Sequence, residues 1–366
     1  MLFLTRWFGV TGSDAERNFD AEQGYTKEIV EKVLILQAAA AAQQHRPLGR
    51  GTHAKGVSVE AQFEVFDVTV GRDPVMAARL AKGIFAQPGI YPATVRFANS
   101  DPSVNSDFKA DVRALSFSVD LTRGGTAVSA AGIARQDFSL QSAPTLPINN
   151  ARAFLATMKL LTASNPAKGL WSLSFRDQLS VLRTLVLARL QSHKAHKSYQ
   201  QLRYWSTVPF RHGPVDVVKQ TAIPLPGNPA HPLQKHNPDS LRDELIRHLD
   251  QDSTMCSFDF GLQFLEPEKM TYWGTRQDAG FWVENASVEW RESQVPFHTV
   301  ARLTLMPKSQ LSTADATYID VTGNASPDSE PVGSINRARW SGEVASRKAR
   351  MRLVPDHEAA NNTQSQ

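Results

Sequence analysis

Six runs of apolar residues with a two-residue period, several separated only by short turn-like gaps, decide which folds are open to this 366-residue chain. In VSVEAQFEVFDVTV (57–70), Val57, Val59, Ala61, Phe63 and Val65 fall on one face, as in a strand with one buried side. Comparable runs are Ala93 to Ala98, Val112 to Asp120, Ser257 to Leu265, Trp282 to Trp290 and His298 to Met306. The short gaps favour antiparallel pairing over crossover connections. Helical spacing appears elsewhere. It covers Thr26 to Ala42, Ala151 to Leu161 behind the cap Asn150, Phe175 to His193, Asp239 to Leu249 with Ser240 and Asp243 as a capping box, and a basic stretch at 335–352. The class expected is α+β: a strand-rich core interrupted by inserted helices and closed by a C-terminal helix.

Composition narrows the function. Lys and Arg number 40 against 36 Asp and Glu, a net +4 without a dense basic run, which argues against nucleic acid as a partner. Cys256 is the only cysteine, so an internal disulfide and any multi-cysteine metal site are excluded. It precedes a strand with no His or Lys beside it and reads as a buried bystander. No apolar stretch approaches the ~20 residues of a membrane span, and a cytoplasmic protein is expected. The apolar start MLFLTRWFGV suits a packed terminus, with contact at a membrane surface as the alternative.

Familiar catalytic motifs are missing. GRGTHAKG (49–56) is glycine-rich with a lysine, but its spacing is wrong for a phosphate loop and a strand follows it. There is no GxSxG, HExxH or GxGxxG. His193 and His196 are three apart on a basic helix end with no flanking carboxylate, a solvated pair and not a metal site.

Four ordered segments carry a resemblance instead. They are Arg50-Gly-Thr-His53-Ala-Lys-Gly56 running into Phe63-Glu64-Val65; Val95-Arg96-Phe97 followed by Asp111-Val112-Arg113-Ala114; Asp137-Phe138-Ser139-Leu140-Gln141-Ser142-Ala143-Pro144 with Phe154 beyond; and Pro331-Val332-Gly333-Ser334-Ile335-Asn336-Arg337-Ala338-Arg339 with Arg350 beyond. Together they resemble the catalase superfamily over about residues 25–355. The shorter branch, with allene oxide synthases of the coral type and small organic-hydroperoxide peroxidases, is the most similar. The resemblance implies one catalase-like antiparallel β-barrel domain (25–355) between an N-terminal arm (1–24) and a frayed tail (356–366).

It also implies a site. His53 would be the distal acid/base, with Thr52 and Gln141 as its modulators. Arg50, Arg96 and Arg350 stand at positions that bind haem propionates, Phe154 where an aromatic ring packs on the haem, and Arg339 one helical turn before the axial ligand. The implied cofactor is haem b. The implied activity is that of an oxidoreductase on organic or lipid hydroperoxides, with weak hydrogen peroxide dismutation, in a chain compatible with homo-oligomers. The pattern breaks at one position: Glu343 stands where the family has its iron-ligating tyrosine, and no tyrosine follows Tyr318. A carboxylate is a hard oxygen donor that ferric iron accepts, but its side chain is shorter by about 2 Å. Carboxylate-bound haem, water-bridged haem and a haem-free descendant all remain open, as does a non-enzymatic protein holding haem or an apolar ligand in the old pocket.

Overall fold

The computed structural model describes residues 19–123, 126–127, 134–228, 230–308, 319–321 and 323–353. The apolar start at 1–10, most of the N-terminal arm and the tail at 356–366 lie outside the described residues.

Helix α1 (Phe19–Gln43) leads into strand β1 (Gly56–Val65), the short α2 (Pro74–Leu80), β2 (Gly89–Asn99), β3 (Arg113–Asp120) and β4 (Arg135–Gln141). Three helices interrupt the sheet: α3 (Ala151–Leu161), α4 (Pro166–Trp171) and α5 (Phe175–Gln191). The chain continues through β5 (Tyr204–Trp205), β6 (Phe210–His212), β7 (Asp216–Pro224), α6 (Ser240–Ile246), β8 (Cys256–Phe264), α7 (Ala279–Glu284), β9 (Phe297–Leu305) and α8 (Ser334–Leu353).

The strands pair antiparallel in the order β8-β9-β1-β2-β3-β4-β5-β7, and β7 pairs again with β8, closing an eight-stranded barrel with β6 added to β7. Closure removes free strand edges, and the two-residue period then separates interior from exterior. Val95 and Phe97 on β2, Leu115 and Phe117 on β3, and Phe138 and Leu140 on β4 all point into the buried core. Phe63, Phe117, Phe138 and Phe260 meet there with ring centroids between 4.7 and 5.8 Å apart. The intervening Arg96, Ser116 and Ser139 therefore face the outer wall.

The expected α+β barrel is present, with three local corrections. First, strand β1 stops at Val65, because Phe66 turns to bond Val300 and Asp67 caps a turn through Thr69. Second, Trp282 to Trp290 is not a strand. Asp278 accepts a bond from the Phe281 backbone and starts α7, and Trp282 and Trp290 pack with Met270 and Val295 in a separate cluster. Third, the capping box at Ser240 and Asp243 does not form, because the Ser240 hydroxyl accepts from Gln234 N instead. The cap at Asn150 is as expected: its side chain accepts from Ala153 N at 3.0 Å.

Candidate functional site

The loop leading into β1 is pinned residue by residue. His53 N donates to Ser100 O and Ala54 N to Asp101 O, each at 3.2 Å. Lys55 Nζ reaches Asp107 at 2.8 Å and Asp239 at 2.9 Å. The outward side chain of Arg96 crosses this loop and donates to His53 O at 2.9 Å. That crossing requires glycine at 56, where an added Cβ would lie 2.6 Å from both the Arg96 guanidinium and Phe97 O. His53 itself has a φ of +56°, a left-handed conformation that histidine adopts more readily than bulkier residues.

Helix α8 closes the other side. Residues four apart share a helix face, so Arg339 and Glu343 both look toward the loop. The helix is fastened where Gly51 N donates to Ser346 Oγ at 2.9 Å, and where Gln37 of α1 bonds both Gly49 O and Ser346 O. Between barrel wall and helix lies a cavity of about 50 Å³, lined among others by Arg50, Thr52, His53, Arg96, Arg339 and Glu343. Six of the nine expected site residues thus meet in one pocket. Gln141, Phe154 and Arg350 do not line it. Gln141 ends β4 opposite Trp205, and Phe154 packs between the two small clusters around Trp340 and Ala338.

The lining also includes Ser116, Ser139, Ile319 and Trp340, which the sequence reading did not single out. The signal for the two serines was available: each is the outward residue between two inward apolar ones. Their hydroxyls lie 3.3 Å apart across β3 and β4. Ile319 and Trp340 carry no comparable signal, because their place in the lining depends on how α8 docks.

One chain of hydrogen bonds orders the centre of the site. Thr52 Oγ1 donates to Glu343 Oε1 at 2.5 Å, and His53 Nδ1 lies 2.9 Å from Thr52 Oγ1. A hydroxyl has one proton, and a carboxylate only accepts. With that proton directed at Glu343, the Thr52 oxygen accepts from Nδ1–H of His53, which leaves the Nε2 lone pair free. Nε2 is buried without a partner. Burial, reinforced by Arg96, Arg339 and Arg50, lowers the His53 pKa to about 3, so the imidazole is neutral. Burial also lowers the pKa of Arg339, opposed by the charge of Glu343.

These residues do not fit haem b in the arrangement they adopt. A porphyrin needs about 3.5 Å of contact distance on each face, so the groups above and below it stand about 7 Å apart. Here Thr52, from the side expected above a haem, touches Glu343, from the side expected below it, at 2.5 Å. The 50 Å³ between the walls is well short of the ~300 Å³ at the small end of cofactor pockets. Glu343 is therefore not placed as an iron ligand but as the acceptor that fixes Thr52. Among the described residues, no group of three or more His, Cys, Asp or Glu could hold a metal ion, and His193 and His196 are exposed.

Solved structures settle the architecture. The chain aligns with a fungal catalase at a TM-score of 0.57 and 16% identity, over 87% of this chain and 62% of that one. It has the catalase fold. Catalase A of Saccharomyces cerevisiae gives a TM-score of 0.56 at 15% identity, covering 87% and 64% of the two chains. A bacterial catalase gives 0.54 at 13%, covering 87% and 60%. The chain thus spans less than two thirds of the catalases it matches. No protein-family profile matches the sequence, and no curated protein does.

Proposed function

We propose that this catalase-fold protein works without haem, as a binding protein that holds the polar head of a small ligand between His53 Nε2 and Arg339. The observation that carries this reading is the hydrogen bond from Thr52 to Glu343, made across the gap a porphyrin would occupy. The pocket chemistry describes the ligand. Nε2 offers a lone pair and asks for an O–H donor. The always-charged guanidinium of Arg339 asks for an oxygen acceptor beside it. A hydroperoxide or a 2-hydroxy acid presents both groups on adjacent atoms. A cavity of about 50 Å³ takes such a head group, since a water molecule needs roughly 10–15 Å³ on the same measure. An imidazole with a pKa of about 3 is neutral and can accept a hydrogen bond but is a poor general base at neutral pH, which supports binding over proton-transfer catalysis.

A second reading has its own support: a haem-dependent enzyme acting on organic or lipid hydroperoxides. His53, Arg50 and Arg96 share one pocket in the order that the resemblance implies. This reading requires α8 to withdraw from Thr52 by several ångströms and to break the Gly51–Ser346 bond. Titration of the purified protein with haemin decides between them. The expected result is no saturable absorption change at one haemin per chain. Stoichiometric binding with turnover of cumene hydroperoxide, abolished in His53→Asn, would establish the enzyme reading instead.

A further inference from the structure

The helices inserted into the barrel are unusual in what they leave outside. On α5 the buried residues are Ser180, Val181 and Thr184, a small and partly polar face. The opposite face carries Phe175, Leu182, Val186 and Leu190, all exposed, Val186 by 59% and Leu190 by 66%. Their spacing of seven, four and four residues keeps them on one stripe of the helix. Trp171, at the end of α4 just before α5 begins, is 77% exposed. The outward side of this unit is thus more apolar than its inward side, the reverse of an ordinary surface helix.

Charge is equally one-sided. Residues 151–200 contain eight Lys or Arg and a single acid, Asp177, leaving the rest of the chain with more acids than bases. That one acid is engaged by Arg152 at 2.9 Å and by the Ser174 hydroxyl at 2.7 Å. Lys159 pairs with Glu28 at 2.8 Å, whereas Lys168 on α4, Arg189 on α5, and Lys194 and Lys197 just after α5 are exposed.

From this pairing of an exposed apolar stripe with an excess of cations over acids in the same segment, we infer that α4 and α5 form a docking face for a membrane surface bearing anionic lipid headgroups. The aromatic and aliphatic side chains enter the interface while lysine and arginine meet the headgroups, as in interfacial helices. Tryptophan at the rim suits the same environment. A second copy of the chain fits less well, because a symmetric contact brings the same patch against itself and sets cation against cation. No helix among the described residues is long and apolar enough to cross a membrane. The inference is independent of what the barrel pocket binds.

Co-sedimentation of the full chain with vesicles tests it. Vesicles of phosphatidylcholine with one quarter phosphatidylglycerol should bind at least tenfold more tightly than phosphatidylcholine alone, and 0.5 M NaCl should remove most of that difference. The double variant Trp171→Ser, Val186→Ser should lose at least tenfold in binding to the anionic vesicles while keeping its thermal midpoint, since both side chains are exposed. Equal binding to both vesicle types, or none, overturns the inference. So does a homodimer in light scattering that the double variant converts to monomer.

Discussion

Coupling between Thr52 and Glu343 is the quantity on which the pocket's interpretation turns, and a double-mutant cycle measures it. In Thr52→Val the hydroxyl is replaced by a methyl of similar shape, which leaves Nδ1–H of His53 and one oxygen of Glu343 without partners. Hydrogen bonds to charged groups contribute about 1.5–3 kcal/mol, and each stranded group adds a desolvation penalty of about 1–3 kcal/mol. Both residues keep partial solvent contact, so the lower ends of these ranges apply, and Thr52→Val should destabilise by about 2–3 kcal/mol. Glu343→Ala alone should cost about 1–2 kcal/mol, because Arg339 also loses its nearest countercharge. In the double variant the shared bond is counted once, so the coupling energy should be about 1–2 kcal/mol. Equilibrium urea unfolding of the four proteins, analysed with a common slope, gives the number. A coupling below about 0.5 kcal/mol would refute the cross-pocket contact and remove the argument against a porphyrin between these walls.

Three further outcomes follow from the same geometry. His53 is held neutral with a pKa near 3, below its ordinary 6.5, so the unfolded chain takes up this proton first. Stability from this group is complete above pH 6.5 and falls by up to about 1.4 kcal/mol per pH unit toward pH 3. Urea midpoints between pH 7 and 4 should therefore drop more steeply for the wild type than for His53→Asn, a replacement that tolerates the left-handed backbone. Gly56→Ala forces a Cβ to within 2.6 Å of the Arg96 guanidinium and a backbone oxygen, and should lower stability by about 1–3 kcal/mol, read as a shift in thermal midpoint. Parallel slopes in the first case, or an unchanged midpoint in the second, contradict the stated packing. Burial raises the thiol of Cys256 to a pKa of about 12, so it should resist a disulfide reagent in the native state and react fully in denaturant.

What could be read along the chain was whatever depends on local order. The two-residue period of 57–65 and 112–120 follows from one-sided burial, and the cap at Asn150 needs only a side chain three residues from its donor. The arginines and His53 stood in ordered motifs, and five of the cationic and hydrogen-bonding positions singled out there do line the pocket: Arg50, Thr52, His53, Arg96 and Arg339. Trp282 to Trp290 misled for a local reason as well. Its apolar alternation was real, but Asp278 caps a helix there and the tryptophans fill a side cluster, so burial came from tertiary contact and not from a sheet face. The consequence of glutamate at 343 lay beyond any local pattern. Whether that carboxylate faces an iron, a water or Thr52 depends on the distance between α8 and the loop at 49–53. That distance is set by α1 packing on α8 through Gln37, Gly51 and Ser346, residues up to 309 positions apart. Chain-distant contacts of this kind have no signature in spacing or composition, because they exist only once barrel and helices have docked.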